Sequence, residues 1–214
     1  MKFNKIDIEN WARKEYFNHY FNNVPCTYSM SVNIDITKLL QDIKDSNKKL
    51  YPVMIYALST VVNSNLEFKM AINENNELGY YEKVNPSYTV LNEESKLFSS
   101  IWTEYIDDFN EFYENCIDDI DTYKISNKMM PKEFEGSNLF NISCIPWTSF
   151  TGFNLNLQKG YDYLPPILTI GKYFEDKDKI LLPLAIQVNH SVCDGYHIGK
   201  FVNELQNLCY ELKL

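Results

Sequence analysis

Between Lys179 and Asn189 the larger apolar residues Leu182, Leu184, Ile186 and Val188 alternate with Leu181, Pro183, Ala185, Gln187 and Asn189. This period of two predicts a strand over 179–188, and His190 inherits the face of the larger side chains. From about Tyr196 the spacing changes. Ile198, Phe201, Val202, Leu205, Leu208, Cys209 and Leu212 recur at threes and fours, which predicts a closing helix buried along that stripe. The junction reads Asn189-His190-Ser191-Val192-Cys193-Asp194-Gly195-Tyr196-His197, with Gly195 where strand turns to helix.

Upstream, the pattern predicts a helix over 9–21 carrying Trp11, Tyr16, His19 and Tyr20, and a strand over 27–34 with Tyr28, Met30, Val32 and Ile34 on one face. Asp35 is placed to cap a helix striped by Ile36, Leu39, Leu40 and Ile43. Pro52, tolerated in a first turn, opens a further helix through Val62. Strands are predicted over 68–72, 79–82, 87–91, 97–102, 139–144, 149–155 and 167–173. The order never settles into strict alternation. It predicts an α+β or layered α/β fold, a mixed sheet packed with helices, with 1–214 as a single domain.

Composition narrows the class. Of 214 residues 45% are apolar and 15% aromatic, with only 7 Gly and 8 Pro, enough for a large core. No apolar run approaches a membrane span, and Met1-Lys2-Phe3-Asn4-Lys5 lacks a secretory leader, so a cytoplasmic protein is expected. Cys26, Cys116, Cys144, Cys193 and Cys209 include no CxxC pair and read as free thiols. A net charge of -9 argues against nucleic acid or an anionic membrane as partner, though not against an anionic cofactor held by a few lysines. GxGxxG and GxxxxGK[ST] loops are both missing.

Eight carboxylates fall between Glu104 and Asp121 without a basic residue. Because Ile106, Phe109, Tyr113, Cys116, Ile117 and Ile120 recur at helical spacing, the carboxylates read mostly as the wet face of an amphipathic helix. His190, Asp194 and His197, at i, i+4 and i+7, would share a helix face, but the strand-to-helix change takes them out of register and no metal is expected. Cys193 reads as a structural thiol. On its residues alone His190 is either a packed imidazole or a general base.

The stretch Asn189 to His197 matches the signature HHxxxDGxH at every fixed position except the first. Trp11 to Glu15, Val24-Pro25-Cys26, Ile34 to Thr37, Tyr51 to Tyr56, Ile145-Pro146-Trp147, Phe153 to Asn156 and Leu182-Pro183-Leu184 follow in family order. With these, nearly the whole chain resembles the trimeric type of chloramphenicol acetyltransferase. The HxxxDG core alone is shared with the acyltransferase cores of 2-oxo acid dehydrogenase complexes and with condensation domains.

The resemblance implies a CoA-dependent acyltransferase-like fold that moves acetyl from acetyl-CoA to a hydroxyl of chloramphenicol, giving resistance. His190 matches the general base, Ser143 the oxyanion donor, and Thr169 a threonine that works with it through a bound water. Asp194 matches an aspartate that pairs with Arg13 to hold the site's architecture, and four residues across a turn is an awkward reach for a triad acid. Tyr20, Val24, Thr89, Phe98, Phe153 and Leu155 match the drug pocket. Lys49, Tyr51, Trp147 and Tyr173 match positions near the cofactor. The family's sites lie between subunits of a homotrimer, with the histidine reaching across.

Two departures stand out. Asn189 replaces the first histidine, and the alternation points it away from His190, so an altered packing contact and intact chemistry are expected. His19, beside Tyr20, makes the drug pocket more polar. Other readings are an acyltransferase for another acceptor and a non-catalytic drug-binding homologue. A lipoyl acceptor is disfavoured, since lipoyl domains and linkers normally precede that core and are not expected here. The joint presence of His190, Ser143 and Thr169 disfavours the binding protein.

Overall fold

The computed structural model describes residues 2–157 and 162–214. The fold is α+β, a mixed sheet packed with helices. Its strands are β1 (Phe3–Lys5), β2 (Thr27–Asp35), β3 (Met70–Ile72), β4 (Leu78–Tyr81), β5 (Asn85–Leu91), β6 (Phe98–Trp102), β7 (Leu139–Ile145), β8 (Ile167–Gly171), β9 (Phe174–Asp176) and β10 (Lys179–Asn189). Its helices are α1 (Lys14–Asn18), α2 (Thr37–Asp45), α3 (Leu50–Ser64), α4 (Phe109–Tyr123) and α5 (Gly195–Glu211).

The larger sheet runs β2-β10-β8-β7-β5-β6, with β9 pairing β10. Among the described residues the parallel pairings are β5 with β7 and β7 with β8, and the other neighbours pair antiparallel. Residues in register share a face. Tyr88, Ile142, Leu168 and Ile186 form one such row, and all are at most 1% exposed. This is the core face. Against it pack α3, which also meets α4 and α5, and the stripe of α5 formed by Ile198, Phe201, Leu205 and Cys209. A smaller sheet, β1-β4-β3, is possible because Gly79 has no side chain: a Cβ there would lie 2.5 Å from the Asn4 carbonyl oxygen.

Local capping explains several boundaries. The N-cap of α2 is Ile36, without a side-chain cap, and not Asp35; Asp35 stands one residue earlier, its Oδ1 accepting the Thr37 amide at 3.1 Å and hydroxyl at 2.6 Å. Asp108 accepts the Glu111 amide at 2.9 Å and opens α4. Most carboxylates of α4 face water, with one correction. Asp119 is only 17% exposed, bonds Thr103 Oγ1 at 2.6 Å and pairs with Lys132 at 2.6 Å.

Other expectations are also corrected. The helix expected over 9–21 is broken into a 3-10 turn (Ile8–Asn10), α1, and a π turn (His19–Asn23). Asp7 caps the first turn early, and Trp11 then turns extended at ψ 127°. Phe68 lies in a 3-10 turn (Leu66–Lys69) ahead of β3, and the segment expected over 167–173 ends at Gly171.

No strand forms over 149–155. There side chains replace a neighbouring strand: Gln187 takes the Leu155 N–H at 2.7 Å and gives its amide N–H to the Leu155 carbonyl at 2.9 Å, while Ser31 Oγ accepts the Phe153 N–H at 3.3 Å. All five cysteines are free thiols. Among the described residues no helix is long and apolar enough to cross a membrane.

Candidate active site

β10 carries His190 out of the sheet into a tight turn, where its backbone N–H donates to the Cys26 carbonyl at 3.0 Å. The imidazole stacks on Tyr20 with centroids 3.9 Å apart and meets the edge of Tyr28 at 5.0 Å. Its Nδ1 lies 3.1 Å from the Cys193 carbonyl oxygen. A carbonyl only accepts, so this contact assigns the proton to Nδ1 and leaves the lone pair on Nε2, the form a general base requires.

Asp194 does not touch that imidazole. It is the N-cap of α5, accepting the Tyr196 amide at 3.1 Å, and its Oδ2 accepts from Arg13 Nη1 at 2.8 Å. Burial pushes the Asp194 carboxyl up, and the Arg13 hydrogen bond, the neighbouring His197 ring, the Arg13 charge and the Tyr196 amide together pull it net below its ordinary 3.8. The Cys193 thiol is buried and pushed up, so Cys193 contributes to the site through its backbone. Asn189, 1% exposed, turns away from His190 and accepts the Ser191 amide at 3.0 Å and hydroxyl at 2.7 Å.

The second half of the site is a row across the other sheet face. Ser100, Thr89, Ser143, Thr169, Ala185 and Ser31 follow one another from β6 to β2, Thr89 and Ser143 standing just past the paired Tyr88 and Ile142. Thr169 and Ala185 are buried at 2% and 3% exposure, while Ser143 and Thr89 are half-buried, their small side chains leaving room above this face. A groove of about 540 Å³ lies over it, lined by Ser143, Thr89, Phe98, Tyr51 and Trp147. A smaller one of about 290 Å³ adjoins it across Tyr51, Cys144 and Pro146 and reaches Tyr173 and Lys172. Tyr51 is fixed by donating to the Thr89 carbonyl at 3.1 Å. Lys49 occupies the N-cap position of α3 without a side-chain cap bond, next to Leu50 and Tyr51 of the smaller groove, its backbone N–H held by Tyr113 Oη at 2.9 Å, so a lysine and the positive end of a helix dipole stand together.

The remaining residues lie between the two halves or at the His190 end. Phe153 and Leu155 run along that sheet face beside Ser31 and Gln187. Tyr20 and the exposed His19 share a separate outer cleft of about 790 Å³. Val24, Phe98, Leu155, Trp147 and Tyr173 are 40–64% exposed, a large apolar showing for one chain. Among the described residues no group of three His, Cys, Asp or Glu side chains is placed to hold a metal ion.

The family model for chloramphenicol acetyltransferase matches residues 1–206. The chain belongs to the chloramphenicol acetyltransferase family. It is 54% identical over 208 residues to a chloramphenicol acetyltransferase of Clostridium perfringens, covering 97% of this chain and 95% of that one. Against one from Clostridium butyricum it is 51% identical over 213 residues, covering 100% and 97%. The protein is thus an acyltransferase of this family. A solved chloramphenicol acetyltransferase superposes with a TM-score of 0.87 at 23% identity, covering 97% of this chain and 100% of that one. The fold also matches a dihydrolipoamide acetyltransferase of Azotobacter vinelandii, with a TM-score of 0.68 at 16% identity over 92% and 86% of the two chains.

The geometry divides the expected residues of the family site. His190, Tyr20, Asp194 and Arg13 gather at one end of β10, whereas Ser143, Thr169, Thr89, Phe98, Tyr51 and Trp147 gather over the middle of the sheet. At a rise of about 3.4 Å per residue, the end of β10 at Asn189 lies roughly 14 Å from Ala185, the residue beside Thr169, and His190 turns out beyond it. Sequence reasoning missed Gln187, although a glutamine inside an apolar strand is itself a signal, and the Cys193 carbonyl, which no side-chain pattern announces.

Proposed function

We propose that the protein transfers acetyl from acetyl-CoA to a hydroxyl of chloramphenicol and so confers resistance, in the cytoplasm, at sites shared between the subunits of a homotrimer. The observation that carries this reading is the pairing of an Nδ1-protonated His190 with a groove lined by Ser143, beside which Thr169 stands in register and buried at 2% exposure. His190 Nε2 takes the hydroxyl proton as the oxygen attacks the thioester carbonyl. The tetrahedral oxyanion accepts a hydrogen bond from Ser143 Oγ, with Thr169 assisting through a bound water. Collapse breaks the C–S bond, and the imidazolium returns its proton to the leaving CoA thiolate. No acyl-enzyme is required.

One hydroxyl has to lie within hydrogen-bond reach of Nε2 while its attacked carbonyl lies within reach of Ser143. The roughly 14 Å between Ala185 and the end of β10 in one chain supports a histidine supplied by a neighbour. The exposed apolar residues around the groove support a covering subunit and an aromatic drug. Lys49 and the α3 N-terminus suit CoA phosphates beside Tyr51, Trp147 and Tyr173. Five free thiols fit a reducing compartment.

The test mixes purified protein with acetyl-CoA and chloramphenicol and follows free CoA thiol, with His190→Ala alongside. Drug-dependent thiol release that vanishes in the variant is the expected result. A folded trimer that releases none directs the search to other hydroxyl acceptors or to a binding role.

A further inference from the structure

We propose that His197 is a positioning residue for His190, acting through the single peptide group that joins Cys193 to Asp194. The inference rests on the reading of His190 as general base. The carbonyl of that peptide accepts the His190 Nδ1 proton at 3.1 Å, and its N–H lies 3.0 Å from His197 Nδ1. The two histidines therefore hold opposite ends of one planar unit. His197 is the third residue of α5 and closes a reciprocal capping box with Asp194, and its side chain is 13% exposed.

The partners of the His197 ring select its protonation. Nε2 faces Glu67 Oε1 at 3.5 Å, and Nδ1 faces both the Asp194 N–H and, at 2.9 Å, Asp194 Oδ1. A neutral ring with its proton on Nε2 serves Glu67 and accepts the peptide N–H. A proton on Nδ1 would bond Oδ1 instead and leave that N–H without its acceptor. Oδ1 already accepts the Tyr196 amide and Oδ2 the Arg13 guanidinium, whereas the cap N–H has His197 Nδ1 as its acceptor, so the N–H has the stronger claim on that nitrogen despite the close Oδ1. The charged groups facing the ring are thus Glu67, Asp194 and, beyond it, Arg13, with the Tyr196 ring edge-on at 5.6 Å.

Held at its N–H, the peptide cannot rotate its carbonyl away from His190, and two hydrogen bonds in series through one amide polarise each other. Without the His197 acceptor the carbonyl turns more freely. His190 then populates the tautomer with its proton on Nε2, which has no lone pair for the substrate hydroxyl.

Because the chain has only 3 histidines, the full-length protein labelled with ¹⁵N-histidine reports each ring tautomer by NMR. Wild type is expected to show His190 protonated on Nδ1 and His197 on Nε2. His197→Leu is expected to move His190 to a mixture of tautomers and lower kcat on the order of tenfold, a part of what a general base supplies. Both KM values should stay within about twofold. His197→Gln, whose amide oxygen reaches the cap N–H as in an ordinary capping box, should restore the tautomer and most of kcat.

A wild-type His197 protonated on Nδ1, a His197→Leu protein with unchanged His190 tautomer, or a folded His197→Gln protein as slow as His197→Leu would overturn the proposal. If His197→Leu does not fold, the wild-type tautomers and the Gln variant decide. His190→Ala separates the two readings. Turnover that survives it removes the general base, whereas the tautomers report the peptide contact independently.

Discussion

Ser143 and His190 of one chain face different ends of the same sheet: Ser143 is in register with Thr169, Thr169 with Ala185, and His190 lies five residues farther on, just past the end of β10. On the proposed function the two groups that meet on one substrate come from different copies. His190→Ala and Ser143→Ala homotrimers are each expected to lose at least about a hundredfold in turnover. Co-expressed and randomly assembled, they should recover activity at about one site in four, where an intact His190 of one subunit meets an intact Ser143 of the next. Mixed trimers with no recovery would place both groups in one subunit.

The Asp194–Arg13 pair at 2.8 Å is partly buried, so Asp194→Asn should lower stability and turnover together, by about 1–3 kcal/mol in unfolding. The Asp194 carboxyl is held below its ordinary 3.8. Its contribution is therefore fully present above that value and is lost as pH falls below it through the depressed one. Thermal unfolding followed from pH 7 to about 3 should show the wild type losing its advantage over Asp194→Asn at the acid end. A variant that kept full thermal stability while abolishing turnover would contradict a structural role.

Gln187 pairs both backbone groups of Leu155 and is 6% exposed. Gln187→Leu keeps the volume but leaves the Leu155 N–H and C=O without these partners, at about 1–3 kcal/mol. Phe153 and Leu155 then lose their anchor on the sheet face. A raised KM for chloramphenicol, with KM for acetyl-CoA little changed, is the expected kinetic signature. Steady-state kinetics in both substrates reads it directly.

On the acidic helix α4, neighbouring aspartates should behave differently. Asp119 binds both Thr103 and Lys132, and Lys132 also donates to the Trp102 carbonyl at 2.9 Å. Asp119→Ala strands a half-buried lysine and should destabilise by about 2 kcal/mol, whereas exposed Asp118→Ala should fall within about 0.5 kcal/mol. Urea midpoints at neutral pH distinguish the two.

Periodicity made much of this protein legible. The alternation through Leu182 to Val188 became β10, the stripe from Ile198 to Cys209 became the buried face of α5, and the apolar positions of α4 met the core. These follow from the chain because burying one face of a strand or helix is a local requirement on every second or every third and fourth residue. The signature around His190 likewise located a histidine at a strand end, since the strand-to-helix change is written in consecutive residues.

What the tertiary structure alone decided were contacts between distant residues. The segment 149–155 has strand-like composition, yet Gln187 and Ser31 satisfy its backbone with side chains, so no ladder forms. Asp119 looks like its solvated neighbours until Lys132 and Thr103 fold against it. The proton on His190 is set by a carbonyl, and a carbonyl leaves no mark in sequence because every residue has one. Hydrogen-bond partners depend on where the backbone has been brought in three dimensions, and the hydrophobic pattern constrains faces, not partners.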